Sequence, residues 1–552
     1  MARRVLVIGG TGNFGRRLCR NLARVPGLEI LLASRRLERA ADVVARISAG
    51  AVSMLTPVAF DRDAIGQVAA LGPWAVIDAS GPFQGANYDL PRGALEQGAH
   101  FIDLADARDY LMGFSALDDL ARAKGLVALT GASSTPALSS AVVAALCKGW
   151  QRVDAVDIAI TPDGSGDVGE AVVAAILSYA GRPVTQFRFG RLNTVLGGRD
   201  RRSFDIPGLG RRRVAAVETI DAELLQRKFN VRSRVAFYAG LESPIERGGL
   251  AALAQLRAWN VLRSLEPFGP LLASVLNITR LTCGDKGGMS VEVTGLDEQG
   301  GWCRARWSML AQGGQGLNAP GLPAVAAVRL LLAGELKPGA RIADEIPLAA
   351  IEREFAGLPI TRQRERVAGR SAFAGALGGS LDALAKPIAD LHSLNAAPIW
   401  KGEASVERGK GFVSRVIGSL IGLPDATERI LVRFALELEP DGRQRWTRVF
   451  GDRSFYSVMT PAADGKVWER FGLMSFRLGL AANDKGELLY PVTAGRFLGI
   501  PMPRFLLPGS DTLEFVDALG RFNFSVRISL PFFGLLAHYR GWLLPEEIKD
   551  ES

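Results

Sequence analysis

The chain has 552 residues, a net charge of +9 and 48% apolar residues, so it is long enough for two to four folded domains. This composition excludes a largely disordered chain. The positive charge is too dilute to indicate a nucleic-acid-binding protein, but it favours anionic ligands such as phosphates or acidic lipid headgroups.

The N-terminal sequence "RVLVIGGTGNFGRRLCRNLA" predicts a strand, a turn and a helix. Residues 5–8 form an apolar run typical of a strand buried on both faces. The glycines that follow fit G-x-G-x-x-G, in which they permit a tight turn, the approach of a pyrophosphate and close packing of helix on strand. Free amides at the helix start favour phosphate binding. We therefore predict a dinucleotide site at this loop, formed by Gly9, Gly10, Thr11, Gly12, Asn13, Phe14 and Gly15.

The second predicted strand, residues 28–33, indicates which dinucleotide binds. It ends in Ser34, Arg35 and Arg36. An NAD site usually has Asp or Glu here to bind the ribose hydroxyls, whereas arginine accommodates the 2′-phosphate of NADP. We therefore predict NADP(H) as the cofactor. The alternative is that both arginines are solvated surface residues beside a structural glycine turn.

Four further strands are predicted at residues 51–60, 74–79, 99–104 and 126–130, with helical stretches between them. This alternation predicts an α/β fold with a doubly wound parallel sheet, whose ligands bind at the carboxyl ends of the strands. Residues after these strands are expected near the adenine (Asp61) and the nicotinamide (Ser80, Gly81, Pro82, Phe83 and Gly131).

The motifs "GGTGNFG", "DASGPFQGANYDLPRGALEQGAHFIDLAD" and "GASSTPALSS" resemble those of saccharopine dehydrogenase-like oxidoreductases. The resemblance implies a Rossmann dinucleotide-binding domain at residues 1–133, interrupted by an α+β substrate domain at residues 134–310. The later stretch "CRARWSMLAQGGQGLNAPGLPAVAAVRLLLAGELKPGAR" resembles the segment that completes the first domain, here at about 311–345. The lysine and histidine acid/base pair of true saccharopine dehydrogenases has no clear counterpart, so their amino-acid substrate is not carried over.

Past residue 370 the pattern changes to alternating apolar and polar residues, as in residues 432–438 and 522–530. This predicts a β-rich C-terminal domain at residues 376–552, after a linker at residues 346–375. Motifs such as "RWTRVFGDRSFYS" and "GIPMPRFLLPG" resemble a bacterial domain family of unknown function. Its recurring aromatics and arginines suit a cavity for an amphipathic anion, or else ordinary core rings with surface arginines.

The sequence offers several candidates for a proton-transferring residue at the carboxyl ends of the first sheet. Tyr88 and Asp106 are predicted as catalytic, and Asp103 and Tyr110 also qualify by position. Each of them could instead make a structural hydrogen bond.

The predicted function is hydride transfer by an NADP(H)-dependent oxidoreductase to or from a carbonyl, imine or enoyl group of a small or lipid-like substrate. The enoyl option comes from the resemblance. The alternative is a non-catalytic NADP(H)-binding sensor or lipid-binding protein, which the missing acid/base pair favours.

The sequence also bears on where the protein is located and what it binds. No run of 18 or more apolar residues suggests a membrane span, and the start is unlike a signal peptide, so a cytoplasmic protein is expected. The four cysteines and three histidines are scattered, so no metal site is expected. No nucleic-acid partner is expected, whereas peripheral membrane contact and a homodimer stay open.

Overall fold

The computed structural model describes residues 2–163, 176–198, 200–241, 243–279, 284–369, 371–395, 397–420, 422–439, 443–462, 464 and 466–546. Its strands form three sheets of seven, nine and thirteen strands, called here the first, second and third sheets.

The strands in chain order are β1 (Arg3–Ile8), β2 (Leu28–Ser34), β3 (Met54–Ala59), β4 (Ala75–Asp78), β5 (His100–Asp103), β6 (Val127–Thr130), β7 (Arg152–Thr161), β8 (Pro183–Arg188), β9 (Arg191–Leu196), β10 (Arg201–Ile206), β11 (Gly210–Ala216), β12 (Arg234–Ala239), β13 (Gly287–Leu296), β14 (Trp302–Ala311), β15 (Gly339–Ile342), β16 (Ile360–Ala368), β17 (Ile399–Arg408), β18 (Thr427–Leu438), β19 (Gln444–Phe450), β20 (Arg453–Pro461), β21 (Val467–Phe471), β22 (Met474–Leu478), β23 (Ala481–Ala482), β24 (Leu488–Leu489), β25 (Val492–Phe497), β26 (Ile500–Pro501), β27 (Gly509–Val516), β28 (Phe522–Leu530) and β29 (Gly534–Pro545).

The α-helices of the described residues are α1 (Asn13–Leu22), α2 (Leu37–Ile47), α3 (Gly66–Leu71), α4 (Asp89–Glu96), α5 (Arg108–Gly113), α6 (Asp118–Ala123), α7 (Ser139–Leu146), α8 (Asp221–Phe229), α9 (Pro244–Ala258), α10 (Gly269–Thr279), α11 (Leu322–Leu332), α12 (Leu348–Arg353), α13 (Ala372–Leu377), α14 (Lys386–His392) and α15 (Phe412–Leu420). Within the described part of the chain, none of the helices has the length and apolar content needed to cross a bilayer.

The first sheet is parallel and has the strand order β15-β6-β5-β4-β1-β2-β3. Its central strand β1 is buried along residues 5–8, as the apolar run predicts. The chain returns after β14 to add β15 beside β6, where Gly339 pairs with Val127. The predicted doubly wound parallel sheet is confirmed, and its carboxyl ends carry the residues of interest.

The second sheet has the order β10-β11-β12-β7-β13-β14-β16, and its other two strands lie off this path, with β8 paired to β12 and β9 paired to β8. One prediction from the sequence is wrong here. Residues 346–375, predicted as a linker, contain α12 and β16, and β16 pairs with β14 along its length. The apolar alternation expected of a strand is missing because β16 lies at the edge of the sheet and exposes Arg362, Arg364 and Arg366. These side chains form ion pairs with neighbouring carboxylates. The sequence of this segment is therefore as polar as that of a linker, although it forms a strand.

The third sheet is antiparallel and confirms the β-rich C-terminal fold. Its order is β23-β24-β27-β28-β29-β17-β18-β19-β20-β21-β22-β25-β26. Leu488 of β24 and Val467 of β21 stand far apart in this order, yet both pack in one core with Trp446 and Phe524. The sheet therefore curls around an aromatic interior, and α13 and α14 contribute Phe373 and other side chains to the same core.

Candidate active site

The glycine loop after β1 packs so closely against neighbouring backbone that Gly9 and Gly15 have no room for a side chain. A Cβ on Gly15 would lie 2.0 Å from the carbonyl oxygen of Gly9, and a Cβ on Gly9 would lie 2.7 Å from Cα of Ser80. Gly9 also has a φ of +74°, which favours glycine. The amide of Gly12 donates to the carbonyl of Gly9 over 2.9 Å and closes the turn. The loop is thus fixed close to β4 and to the start of α1.

The start of α1 is open to an anion. Gly12 caps the helix, and among the described residues no side chain accepts a hydrogen bond at this cap. The first turn contains no acidic residue, and Gly12 is exposed. The first N–H groups of this ten-residue helix have no acceptor within the helix, so its N-terminus carries partial positive charge. This cradle fits the diphosphate of a dinucleotide.

Beyond the carboxyl end of β2, Arg35 and Arg36 are exposed, and within the described residues neither guanidinium has an ion-pair partner. The backbone there is ordered by Ser34, whose hydroxyl accepts a bond from the amide of Arg36. Asp61, predicted near the adenine, is exposed at the end of β3 and accepts from the amide of Asp63. The two arginines therefore keep their charges available to a phosphate.

Asp78, at the end of β4, organises the neighbouring loop. Its buried carboxylate accepts hydrogen bonds from the amide and the hydroxyl of Ser80, at 2.9 and 2.5 Å. It also forms an ion pair with Arg62 over 3.0 Å, and that guanidinium lies above the ring of Phe83. The predicted segment from Ser80 to Phe83 is thus held by Asp78 and Arg62. Sequence reasoning missed both, although their positions after β3 and at the end of β4 were a usable signal.

Asp103, at the end of β5, has a buried carboxyl group whose two oxygens differ in their hydrogen bonding. Its Oδ1 accepts from the amides of Ala105 and Gly131 and from the hydroxyl of Thr130. Its Oδ2 is buried without a partner among the described residues. Burial raises the pKa of Asp103 to about 7, although the hydrogen bonds from Gly131, Ala105 and Thr130 act in the opposite direction. This group therefore holds a proton close to neutral pH and positions Gly131.

Tyr88 makes its hydrogen bond within the first domain. Its hydroxyl donates to the backbone carbonyl of Tyr110 over 2.7 Å, and the two rings lie 5.0 Å apart. Burial and the nearby Asp103 raise the pKa of Tyr88, so the hydroxyl stays protonated. The hydroxyl thus already donates its proton in a structural hydrogen bond. A catalytic role for Tyr88 stays a prediction.

Asp106 is the candidate acid on the open side of the sheet. Its side chain is exposed, yet the surrounding protein desolvates it and raises its pKa, while its own backbone amide and Gln84 oppose this by hydrogen bonding. Asp106 in turn contributes to raising the pKa of Tyr179, after burial of that phenol, so the two groups are neighbours. The predicted residue thus stands in a polar group of Asp106, Gln84 and Tyr179.

Residues that the sequence analysis missed tie this edge to α8. Asp221, at the start of α8, accepts hydrogen bonds from the hydroxyls of Thr135 and Ser139, the latter over 2.5 Å. Arg108 of α5 forms an ion pair with Glu223 of α8 over 2.6 Å. No spacing in the sequence marks these partners, because 82 to 115 residues separate them.

Two parts of the chain match known protein families. Residues 5–129 match the family described as the saccharopine dehydrogenase NADP binding domain. This chain carries a saccharopine dehydrogenase-type dinucleotide-binding domain. In a domain of this type the glycine loop is expected at the phosphate end of the dinucleotide, and for this chain that assignment stays a prediction. Residues 384–543 match a second family, a domain of unknown function called DUF4166, so the predicted resemblance is confirmed in both parts of the chain.

Several solved structures are similar to part of this chain. Apo saccharopine dehydrogenase from Saccharomyces cerevisiae is 11% identical, and the match covers 66% of this chain and 100% of that one, with a TM-score of 0.47. An oxidoreductase from Agrobacterium radiobacter in complex with NAD+, L-tartaric acid and magnesium is 9% identical over 66% and 98% of the chains, with a TM-score of 0.30. A DUF3598 protein of unknown function from Nostoc punctiforme is 13% identical over 47% and 67%, with a TM-score of 0.20. No curated protein matches the chain.

Proposed function

We propose that the protein is an NADP(H)-dependent oxidoreductase that transfers hydride to or from a carbonyl, imine or enoyl group of a small or lipid-like substrate. The observation that carries the choice of NADP(H) is the pair Arg35 and Arg36, exposed and without ion-pair partners in the described residues at the end of β2. At this position a carboxylate would select NAD, whereas arginine binds a 2′-phosphate.

Different residues of the chain bind different parts of the cofactor. The amides at the start of α1 bind the diphosphate, and Arg35 and Arg36 bind the 2′-phosphate. Asp78 holds the loop at Ser80 in place through two hydrogen bonds, and Asp103 holds Gly131 through one hydrogen bond from its amide. These loops lie at the carboxyl ends of neighbouring strands, where the nicotinamide half of a dinucleotide belongs.

Asp106 is the proposed proton donor. When bound, the nicotinamide supplies or accepts a hydride. In the reductive direction on a carbonyl, the carbon gains the hydride and the oxygen takes a proton from the Asp106 carboxyl. Its raised pKa keeps part of this group protonated closer to neutral pH than an ordinary aspartate. The hydrogen bond from Gln84 orients the carboxyl.

A fluorescence titration with NADPH and NADH tests the cofactor assignment. Arg35→Asp is expected to weaken NADPH binding by about tenfold or more, because a charged hydrogen bond is lost and a like charge faces the phosphate. Binding of NADH should stay the same or tighten, because a carboxylate here can bind the ribose hydroxyls. Arg20→Asp, which changes an exposed arginine in the last turn of α1, is the matched control. Equal NADPH affinities for both variants and the unchanged protein would contradict the assignment.

Deuterium transfer tests the chemistry. Stereospecifically deuterated NADPH is incubated with carbonyl, imine and enoyl compounds of short and long chain length, and deuterium in the product is measured. Asp106→Asn is expected to lower the turnover of a carbonyl or imine substrate by about a hundredfold while leaving NADPH affinity unchanged. NADPH binding without transfer to any compound would favour the alternative function, a non-catalytic sensor.

A further inference from the structure

The two ends of the third sheet have different surroundings. At one end, Glu437 of β18 forms ion pairs with Arg234 and Arg202 of the second sheet. Near the same end, the side chain of Asn395, just before β17, accepts a hydrogen bond from the amide of Trp302. The body of the protein therefore lies at the end where β17 begins and β18 finishes.

The strand register defines the opposite end. Here β17 finishes and β18 begins, since Val406 pairs with Thr427. The pairs Phe450 with Arg453, Met474 with Phe497 and Leu530 with Gly534 place three further sets of turns at this end. Helix α15 is attached here as well, through a bond from the hydroxyl of Ser414 to the carbonyl of Leu535.

This end is unusually apolar. Exposed large side chains stand on α15, on the turns after β21, β25 and β28, and on the short helix before β27, and we call them the apolar rim. Its members are Phe412 (73% exposed), Leu473 (62%), Leu498 (62%), Phe505 (66%), Phe532 (83%) and Phe533 (56%). Single exposed apolar residues are ordinary, but a group at one end of a domain marks an interaction surface.

The charges beside the apolar rim are basic. Residues 408–424, 495–509 and 527–540, which carry most of the rim, contain seven Lys or Arg residues and no Asp or Glu. Among them, Lys410, Arg415 and Arg504 are exposed and have no ion-pair partner within the described residues. The acidic residues of this end lie outside these segments, at Glu407, Asp425, Glu428 and Asp452. Glu407 lies 4.0 Å from His538, and Asp425 pairs with Arg453.

We propose that the apolar rim docks on a membrane surface containing anionic phospholipids. Exposed Phe and Leu side chains on turns enter the boundary between headgroups and acyl chains, and flanking Lys and Arg bind the acidic headgroups. A protein partner or a second copy would also cover apolar surface, but Lys410, Arg415 and Arg504, exposed beside the apolar group and without ion-pair partners in the described residues, complement a negatively charged layer. The rim lies at the end of the third sheet away from the second sheet.

Vesicle flotation of the full chain tests this inference. The unchanged protein should float with phosphatidylcholine vesicles containing phosphatidylglycerol, and should do so less as salt is raised. Phe532→Ser combined with Phe533→Ser should lower the bound fraction at least about tenfold, and so should Lys410→Glu combined with Arg415→Glu. Leu519→Ser is the matched control, because Leu519 is equally exposed (75%) but lies at the opposite end, on the turn between β27 and β28.

Two results would overturn the inference. One is no flotation of the unchanged protein with anionic vesicles. The other is a dimer in analytical ultracentrifugation that the Phe532 and Phe533 changes dissociate while vesicle binding persists. All the changed side chains are exposed, so the variants should keep the thermal unfolding midpoint of the unchanged protein, and this measurement separates lost docking from lost folding.

Discussion

At the scale of single residues, the glycine loop depends on the absence of methyl groups. A Cβ on Gly15 would lie 2.0 Å from the oxygen of Gly9, so backbone on both sides would have to move. Gly15→Ala is expected to lower the free energy of unfolding by about 2 kcal/mol, as overpacking does, and to weaken NADPH binding with it. Denaturant unfolding and a cofactor titration measure both effects.

The control for this change is a helical glycine with free space. Gly249 lies inside α9, is exposed and has no atom within 4 Å of its added Cβ among the described residues. Gly249→Ala should raise the free energy of unfolding by about 0.5 to 1 kcal/mol, because alanine favours the helix. If both alanine variants behaved alike, the close approach at Gly15 would not be what keeps that residue a glycine.

The stability of the folded protein should depend on pH through Asp103. Its pKa is raised from 3.8 to about 7 in the folded chain, because the carboxyl is buried. The folded state therefore binds this proton more tightly than the unfolded state, and its stabilising effect is lost as the pH rises through that interval. Asp103→Asn removes the titration, and its amide oxygen can keep the bonds from Ala105, Thr130 and Gly131.

The measurement is a comparison of unfolding curves between pH 4 and 7. The unchanged protein should lose stability relative to Asp103→Asn with a slope of up to about 1.4 kcal/mol per pH unit for one proton. Other buried carboxyls, such as Glu292 with its pKa raised to about 7, titrate in both proteins and cancel in the difference. Parallel curves would mean that Asp103 is already ionised in the folded protein.

At the scale of elements, the sequence was informative where structure is local. The glycine loop and β1 to β6 were predictable because each strand is a short apolar run and each loop has its own turn residues. The pair Arg108 with Glu223 was not predictable, since only folding brings these two residues together. Arg62 and Asp78 were missed although their positions at the ends of predicted strands were a usable signal. Strand β16 was hidden for a different reason, because its exposed arginines are ion-paired along a sheet edge and leave no apolar alternation.

Proline substitutions in β16 test whether this segment is a strand or a linker. In an antiparallel pair, successive amides point alternately toward and away from the partner strand. Gln363→Pro and Arg364→Pro should therefore differ: one removes a hydrogen bond to β14, and the other removes an amide that faces outward. The difference in free energy of unfolding should be about 1 kcal/mol or more. A linker would tolerate both substitutions alike.

At the scale of the whole molecule, an ion-pair network joins the second and third sheets. Arg234 of β12, only 3% exposed, lies between Asp157 of β7 and Glu437 of β18 and forms ion pairs with both. Arg202 of β10 reaches the same two carboxylates, at 3.4 and 3.7 Å. Burial works against ionisation of Glu437, but Arg234 and Arg202 outweigh it and lower its pKa. The two arginines are thus neutralised only when both sheets are docked.

Removing the charge on Glu437 should loosen this docking. Glu437→Gln leaves Arg234 and Arg202 facing Asp157 alone, and loss of one member of a buried network typically costs about 3 to 5 kcal/mol. We expect calorimetry to show the third sheet unfolding in a separate, earlier transition, and limited proteolysis to cut near residue 370, between β16 and α13. Lys386→Gln breaks the exposed pair with Asp390 on α14 and should change stability by less than about 0.5 kcal/mol. A single transition in Glu437→Gln at the midpoint of the unchanged protein would show that the two sheets are joined by apolar contact instead, leaving the network without a share in the docking.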